Sequence, residues 1–270
     1  MGNSFDNRSE LSQQLTSFLR TKLAENVSIS GDIKRLQGGF DTDTLGLTIL
    51  NAPAKFPSDL VLRHFRHAHE VHRVIRESTV QNAAACGGHA VPRVPIDSVG
   101  ELLLNRPFLL MERLPGSNMG ETIFADQALI PRFPGIMANL QYGLHRLDPT
   151  KLMHHLGNSG VDVDHMKPTR LLGRITAIAE AAQAPDLIEI SDWLNNNYPK
   201  QHDSLSICHG DLHPNNILMH NGEVSGLIDW GNAMFTDPEY DIAVTKTILS
   251  IAPPLTTSEF QKQRSTICSK

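Results

Sequence analysis

The chain has 270 residues, 40% of them hydrophobic and 20% charged, a globular composition at a length suited to one large domain or two small lobes. A net charge of -5 and a pI near 6.2 argue against a nucleic-acid partner, which calls for a basic surface. Cys86, Cys208 and Cys268 are scattered and odd in number, which argues against a disulfide framework and for a reducing compartment. Residues 1–10 lack the apolar core of a signal peptide, and no apolar run approaches the roughly 20 residues of a membrane span, so the expectation is a soluble, cytoplasmic protein with no membrane partner.

Leu11, Leu15, Phe18, Leu19 and Leu23 recur at helical spacing and predict an amphipathic first helix. Strands follow at about 32–36, 44–50 and 60–64, separated by Gly38 and Gly39 and then by a segment holding Pro53 and Pro57. This is an antiparallel meander rather than a βαβ unit. Residues 67–85 read as a helix ended by Gly87 and Gly88, and further strands are expected at 93–98 and 107–112. Leu114, Pro115 and Gly116 break the pattern and divide the chain into lobes 1–113 and 114–270. Beyond the break, helices are expected at about 119–127, 132–146, 168–182 and 188–196, and short strands at 205–208 and 224–229. Strands first and helices afterwards make the fold α+β with two segregated parts.

The informative stretch is residues 206–218, followed by 226–230. An apolar strand delivers a polar loop holding His209, Asp211 and Asn216, and a second strand delivers Asp229. Taken as one hairpin, the two strands bring Asn216 and Asp229 together. An amide oxygen with a carboxylate is a hard, oxygen-only ligand set that suits Mg²⁺, the remaining ligands coming from water and substrate phosphates. Asp211, earlier on the loop, is positioned to take a proton from an attacking hydroxyl. Any one of these residues fits a plain polar turn; their joint spacing points to chemistry.

That spacing resembles the aminoglycoside phosphotransferase and choline kinase family, which has the protein-kinase-like fold. The family signature, His-x-Asp-x-x-x-x-Asn and then Ile-Asp-[Trp/Phe], stands here as His209, Asp211 and Asn216, then Ile228, Asp229 and Trp230. The resemblance implies an N-terminal β-sheet lobe that covers the nucleotide and a mainly helical C-terminal lobe with the catalytic loop and acceptor site. The implied activity is ATP-dependent transfer of the γ-phosphate to a hydroxyl of a small molecule, with ATP or another nucleoside triphosphate as donor. Asp211 is then the catalytic base, Asn216 and Asp229 hold Mg²⁺, and His209 and Asp241 of the Asp-Pro-x-x-Asp run brace the loop. Gly38 and Gly39 cover the phosphates, Arg63 binds the α- and β-phosphates, Glu77 (with Glu70 second) steadies Arg63, and backbone groups of Glu112 and Leu114 bind the adenine edge. Arginine stands where most protein kinases carry lysine, and its planar fork is not equivalent. That departure, with the short stretch after Asp241, leaves a catalytically weak, nucleotide-binding scaffold as the alternative.

Other readings are weaker. His64, His67, His69 and His72 invite a zinc site, but His67 and His69 on one helix would point apart. His213 and His220 lack a third convergent ligand for a metallohydrolase. Gly210, where protein kinases usually carry arginine, and the lack of an Ala-Pro-Glu ending argue against a protein kinase. The partners implied are a nucleotide and a small hydroxyl-bearing substrate; Glu121, Asp162, Asp164 and Asp192 are the acids that could meet a cationic one. The sequence fixes no oligomeric state.

Overall fold

In the computed structural model, which describes residues 8–36, 42–98, 100–198 and 205–251, helix α1 (Arg8–Lys22) buries Leu11, Leu15, Phe18 and Leu19, the stripe its spacing predicts. The stripe packs on a five-stranded antiparallel sheet, β1 (Ser28–Arg35), β2 (Thr42–Leu50), β3 (Asp59–Phe65), β4 (Ile96–Asp97) and β5 (Phe108–Glu112), in the order β1-β2-β3-β5-β4. Strand β3 is buried from Leu60 to Phe65 because both its faces are covered. Leu60 and Leu62 join the cluster under α1, while Val61 and Phe65 pack with Val74 of helix α2 (Val71–Cys86). Side chains alternate along a strand, so Arg63 lies on the α2 face with Val61 and Phe65.

Two local features differ from expectation. The helix expected from residue 67 opens as a 3₁₀ turn (Ala68–Glu70), with His67 extended before it. The His67 and His69 rings therefore stack, 5.4 Å apart and 9° from parallel, rather than point apart. The strand expected at 93–98 contracts to Ile96–Asp97. Pro92 and Pro95 carry no N–H, and Asn82 takes both backbone groups of Val94 through its side-chain amide, at 2.8 and 3.0 Å.

The chain divides into two units, Met1–Ala85 with Val91–Pro115, and Cys86–Ala90 with Gly116–Lys270. The second holds β6 (Ser117–Asn118), α3 (Met119–Ala125), α4 (Phe133–His145), α5 (Pro149–Asn158), α6 (Pro168–Ala181), α7 (Pro185–Asn196), β7 (Ser206–Cys208), β8 (Ile217–His220), β9 (Glu223–Leu227), β10 (Met234–Thr236) and α8 (Pro238–Ile251). Proline in the first turn opens α4, α5, α6 and α7, where a missing N–H costs nothing. The hairpin expected between the strands at 205–208 and 224–229 does not form. Strand β7 pairs with β10, and β9 pairs with β8, both antiparallel. Among the described residues, no helix is long and apolar enough to cross a membrane.

Candidate active site

Strand β7 ends at Cys208 and releases the loop that carries His209, Asp211 and Asn216. Gly210 turns the chain there at φ +74°, and a Cβ on it would fall on the Asn232 carbonyl oxygen, so only glycine fits. A 3₁₀ turn, Pro214–Asn216, closes the loop, with His213 Nδ1 accepting the Asn215 N–H at 3.3 Å. The Asn216 side chain turns back and donates its amide nitrogen to the Asp211 carbonyl at 2.9 Å and to Asp211 Oδ2 at 3.3 Å. Its backbone carbonyl accepts the Ile228 N–H at 2.9 Å, which puts Asp229 beside it. Asp211, Asn216 and Asp229 thus come together, although through the β8–β9 pairing rather than the expected one.

Burial raises the Asp211 carboxyl above the ordinary carboxylate range; the Asp229 charge adds to this, while His213, His209 and Asn216 oppose it. Asp229 has left-handed backbone angles, φ 67° and ψ 70°, which are uncommon outside glycine and collect at functional sites. His213 Nε2 lies 3.7 Å from Asp211 Oδ1, and His220 is exposed.

His209 is fully buried, edge-on to Trp230 with ring centroids 4.9 Å apart. Burial pushes its pKa down against the pull of Asp241, Asp211 and Asp229. The ring donates Nε2–H to the Ile228 carbonyl at 3.1 Å, and Nδ1 meets no hydrogen-bond partner among the described residues. The Nε2 bond ties the His209 ring to the Ile228 carbonyl just before Asp229. Asp241 is also fully buried and accepts the His209 N–H at 3.2 Å and the Gly210 N–H at 2.8 Å. Burial alone would raise its carboxyl, but the bonds from His145, Gly210 and His209 outweigh burial and hold it below the usual range.

In the first unit, Arg63 Nη1 contacts Glu77 Oε2 at 3.0 Å, with the two side chains 8% and 1% exposed. The other oxygen of Glu77 takes Arg73 Nε at 2.9 Å, and Arg73 reaches Glu70 at 3.2 Å. Glu77 is thus at once a partner of Arg63 and, at i,i+4 spacing on α2, of Arg73. Glu112 gives its N–H to the Arg93 carbonyl at 2.9 Å. Gly38 and Gly39 lie outside the described residues. Of the acids named for a cationic substrate, Asp162 pairs with His165 at 2.8 Å and Asp164 with Lys167 at 2.6 Å. His145 carries no signal in the sequence, whereas the i,i+4 spacing of Arg73 to Glu77 does.

Residues 32–260 match the family model described as the phosphotransferase enzyme family. Among curated proteins, acyl-CoA dehydrogenase family member 11 of Rattus norvegicus is 27% identical over 186 residues, covering 64% of this chain and 23% of that protein. Hygromycin-B 4-O-kinase of Escherichia coli is 37% identical over 68 residues, covering 25% of this chain and 18% of that protein. The chain thus spans less than a quarter of the length of these relatives. Among solved structures, the GDP complex of an aminoglycoside 2'-phosphotransferase-IIIa variant superimposes with TM-score 0.60 at 17% identity, covering 94% of this chain and 86% of that one. A macrolide 2'-phosphotransferase from Brachybacterium faecium gives TM-score 0.55 at 18% identity, covering 95% and 89%. These likenesses show the kinase-like α+β fold.

Proposed function

The chain belongs to the phosphotransferase enzyme family, and on that premise we propose that it moves the γ-phosphate of ATP, or of another nucleoside triphosphate, to a hydroxyl of a small molecule. One observation carries this reading: the Asn216 amide nitrogen is committed to Asp211 while its backbone carbonyl holds the strand leading to Asp229. Base and two oxygen ligands are thereby tied into one unit. The donor set fits Mg²⁺, because the Asn216 side-chain oxygen and the Asp229 carboxylate are hard ligands and the amide nitrogen is turned away to Asp211. When bound, the ion would neutralise charge on the nucleotide phosphates.

The protein's own residues do the rest. Asp211 orients the acceptor hydroxyl and takes its proton as the acceptor oxygen bonds to the γ-phosphorus and the bond to the leaving nucleoside diphosphate breaks. Its raised pKa favours holding that proton. Arg63, steadied by Glu77, grips the α- and β-phosphates. Gly38 and Gly39 are assigned to the phosphates by the family resemblance, and backbone groups of Glu112 and Leu114 to the adenine edge. His209 and Asp241 keep the loop in shape. Free thiols at Cys86 and Cys208 and a nucleotide donor fit a cytoplasmic setting. The hydroxyl-directed kinase among the relatives supports a small-molecule acceptor.

The test is a screen of hydroxyl compounds for release of the nucleoside diphosphate, with Asp211→Ala as the blank. At least one compound should raise release well above the blank. Binding of Mg-ATP with no release above the blank for any acceptor would replace this reading with a nucleotide-binding scaffold.

A further inference from the structure

The loop carrying Asp211 is held from α8 at both ends. Asp241 accepts the N–H groups of His209 and Gly210, and Thr245, one helical turn further on, donates its hydroxyl to the Leu212 carbonyl at 2.9 Å. Helix α4 supplies matching rungs, also one turn apart. His145 Nε2 lies 2.9 Å from Asp241 Oδ2, and Gln141 donates its Nε2 to Thr245 Oγ1 at 2.9 Å and to the Asp241 carbonyl at 3.1 Å. Gln141, Asp241 and Thr245 are buried, and the His145 side chain is 9% exposed. Because Gln141 Nε2 can only donate, Thr245 Oγ1 accepts there and its own hydrogen is directed to Leu212. Each hydrogen bond in the set therefore has one direction.

We infer that Thr245, Gln141 and His145 are positioning residues for Asp211, forming a clamp that acts through the loop backbone. None of the three has a hydrogen bond to Asp211 itself; they fix its neighbours 209, 210 and 212. The backbone between has little slack, since Gly210 already sits against the Asn232 carbonyl. A displaced clamp then becomes a displaced carboxylate, and misplacement near 1 Å can cost about a hundredfold in rate. The inference rests on the proposed role of Asp211 as base.

Thr245→Val keeps the shape of the side chain and removes the hydroxyl; Thr245→Ser restores the hydroxyl. Three readouts on the full chain separate the outcomes: amide hydrogen exchange of the peptide spanning 207–212, Mg-ATP affinity by calorimetry, and the rate of ADP release with an acceptor from the screen or with water. Thr245→Val should speed exchange about tenfold and lower kcat about tenfold, with Mg-ATP affinity within about twofold of wild type; Thr245→Ser should recover both. If Thr245→Val does not fold, Gln141→Glu, which cannot donate on the same rung, is measured in the same way. Unchanged exchange overturns the clamp. Faster exchange with kcat unchanged, or an equal loss of Mg-ATP affinity, overturns the positioning role. A wild-type protein that never releases ADP, with faster exchange in the variant, overturns the phosphotransferase reading and leaves the clamp standing.

Discussion

Glu77 is the joint of the ion-pair chain in the first unit, and removing it should hurt more than removing either arginine. Its side chain is 1% exposed, and its two oxygens meet Arg63 at 3.0 Å and Arg73 at 2.9 Å. Glu77→Ala takes this carboxylate from an Arg63 side chain only 8% exposed. Breaking a buried pair on one side costs about 3–5 kcal/mol. Arg73 adds little to the loss, because it is 25% exposed and keeps Glu70. Arg63→Ala leaves Glu77 still held by Arg73, and the loss of its charge-assisted contact with Glu77 is worth about 2 kcal/mol. At roughly 2–4 °C per kcal/mol for a chain of this size, Glu77→Ala should melt about 10 °C below wild type and Arg63→Ala about 5 °C below. Thermal denaturation followed by circular dichroism measures both. Calorimetric titration adds the functional arm: Arg63→Ala should weaken ATP far more than adenosine. An Arg63→Ala protein at least as destabilised as Glu77→Ala would refute the shared-carboxylate account.

Two further outcomes follow from the second unit. Asp229→Ala should abolish Mg²⁺-dependent nucleotide binding in a titration while its circular dichroism spectrum stays that of wild type; zinc retained through purification and unaffected by the substitution would contradict the proposed ligand set. Burial raises the Asp211 pKa in the fold, so its carboxylate is costly to ionise, and that cost grows as pH climbs past the ordinary carboxylate value of about 4. Asp211→Asn should therefore melt higher than wild type at pH 7, the gap closing towards pH 4, while turnover falls at least about a hundredfold; equal or lower stability at pH 7 would count against the desolvated base.

The grouping of Asp211, Asn216 and Asp229 was legible from the spacing of one loop motif, and the contact of Arg63 with Glu77 from the family resemblance. The route that joins them was not. Strands β8 and β10 span Ile217–His220 and Met234–Thr236, too short for any period to show, so the loop was assigned to the wrong hairpin. Helices α5 and α8 were missed although each opens with proline after aspartate, at Asp148 and Asp237. Asp148 caps α5 by accepting the Thr150 N–H at 2.9 Å, which is a usable start signal. Asp237 stands just before α8 and also heads the Asp-Pro-x-x-Asp run, so one residue carries two signals. Gln141 and Thr245 left no trace at all. Each sits on an amphipathic helix where a polar residue normally faces water, and only the packing of α4 on α8 turns them inward.

Arg73 bears on the least usual feature, an arginine at the strand position where lysine is common. A carboxylate and a guanidinium pair most strongly through two parallel bonds. Such a pairing between Glu77 and Arg63 would occupy the fork that the proposed function assigns to phosphate. Here Glu77 Oε2 lies 3.0 Å from Arg63 Nη1, while Oε1 accepts from Arg73 Nε at 2.9 Å. The rings and charges around the pair hold that division in place: Phe65 lies 5.9 Å from the Arg63 guanidinium carbon and 5.3 Å from that of Arg73, and Glu70 anchors Arg73 from the other side. Arg73→Ala releases Oε1 and lets Glu77 turn both oxygens to Arg63. The fold should lose little, since Arg63 gains a contact as Glu77 loses one. ATP affinity should fall by about tenfold, the loss of one charge-assisted contact of roughly 1.4 kcal/mol, with adenosine unchanged. Arg73→Lys should recover part of it, because a lysine at that position keeps a donor for Oε1 without the planar fork. Calorimetry with ATP and adenosine on these two variants decides the matter: ATP affinity equal to wild type in Arg73→Ala would mean that Arg73 has no part in dividing the carboxylate.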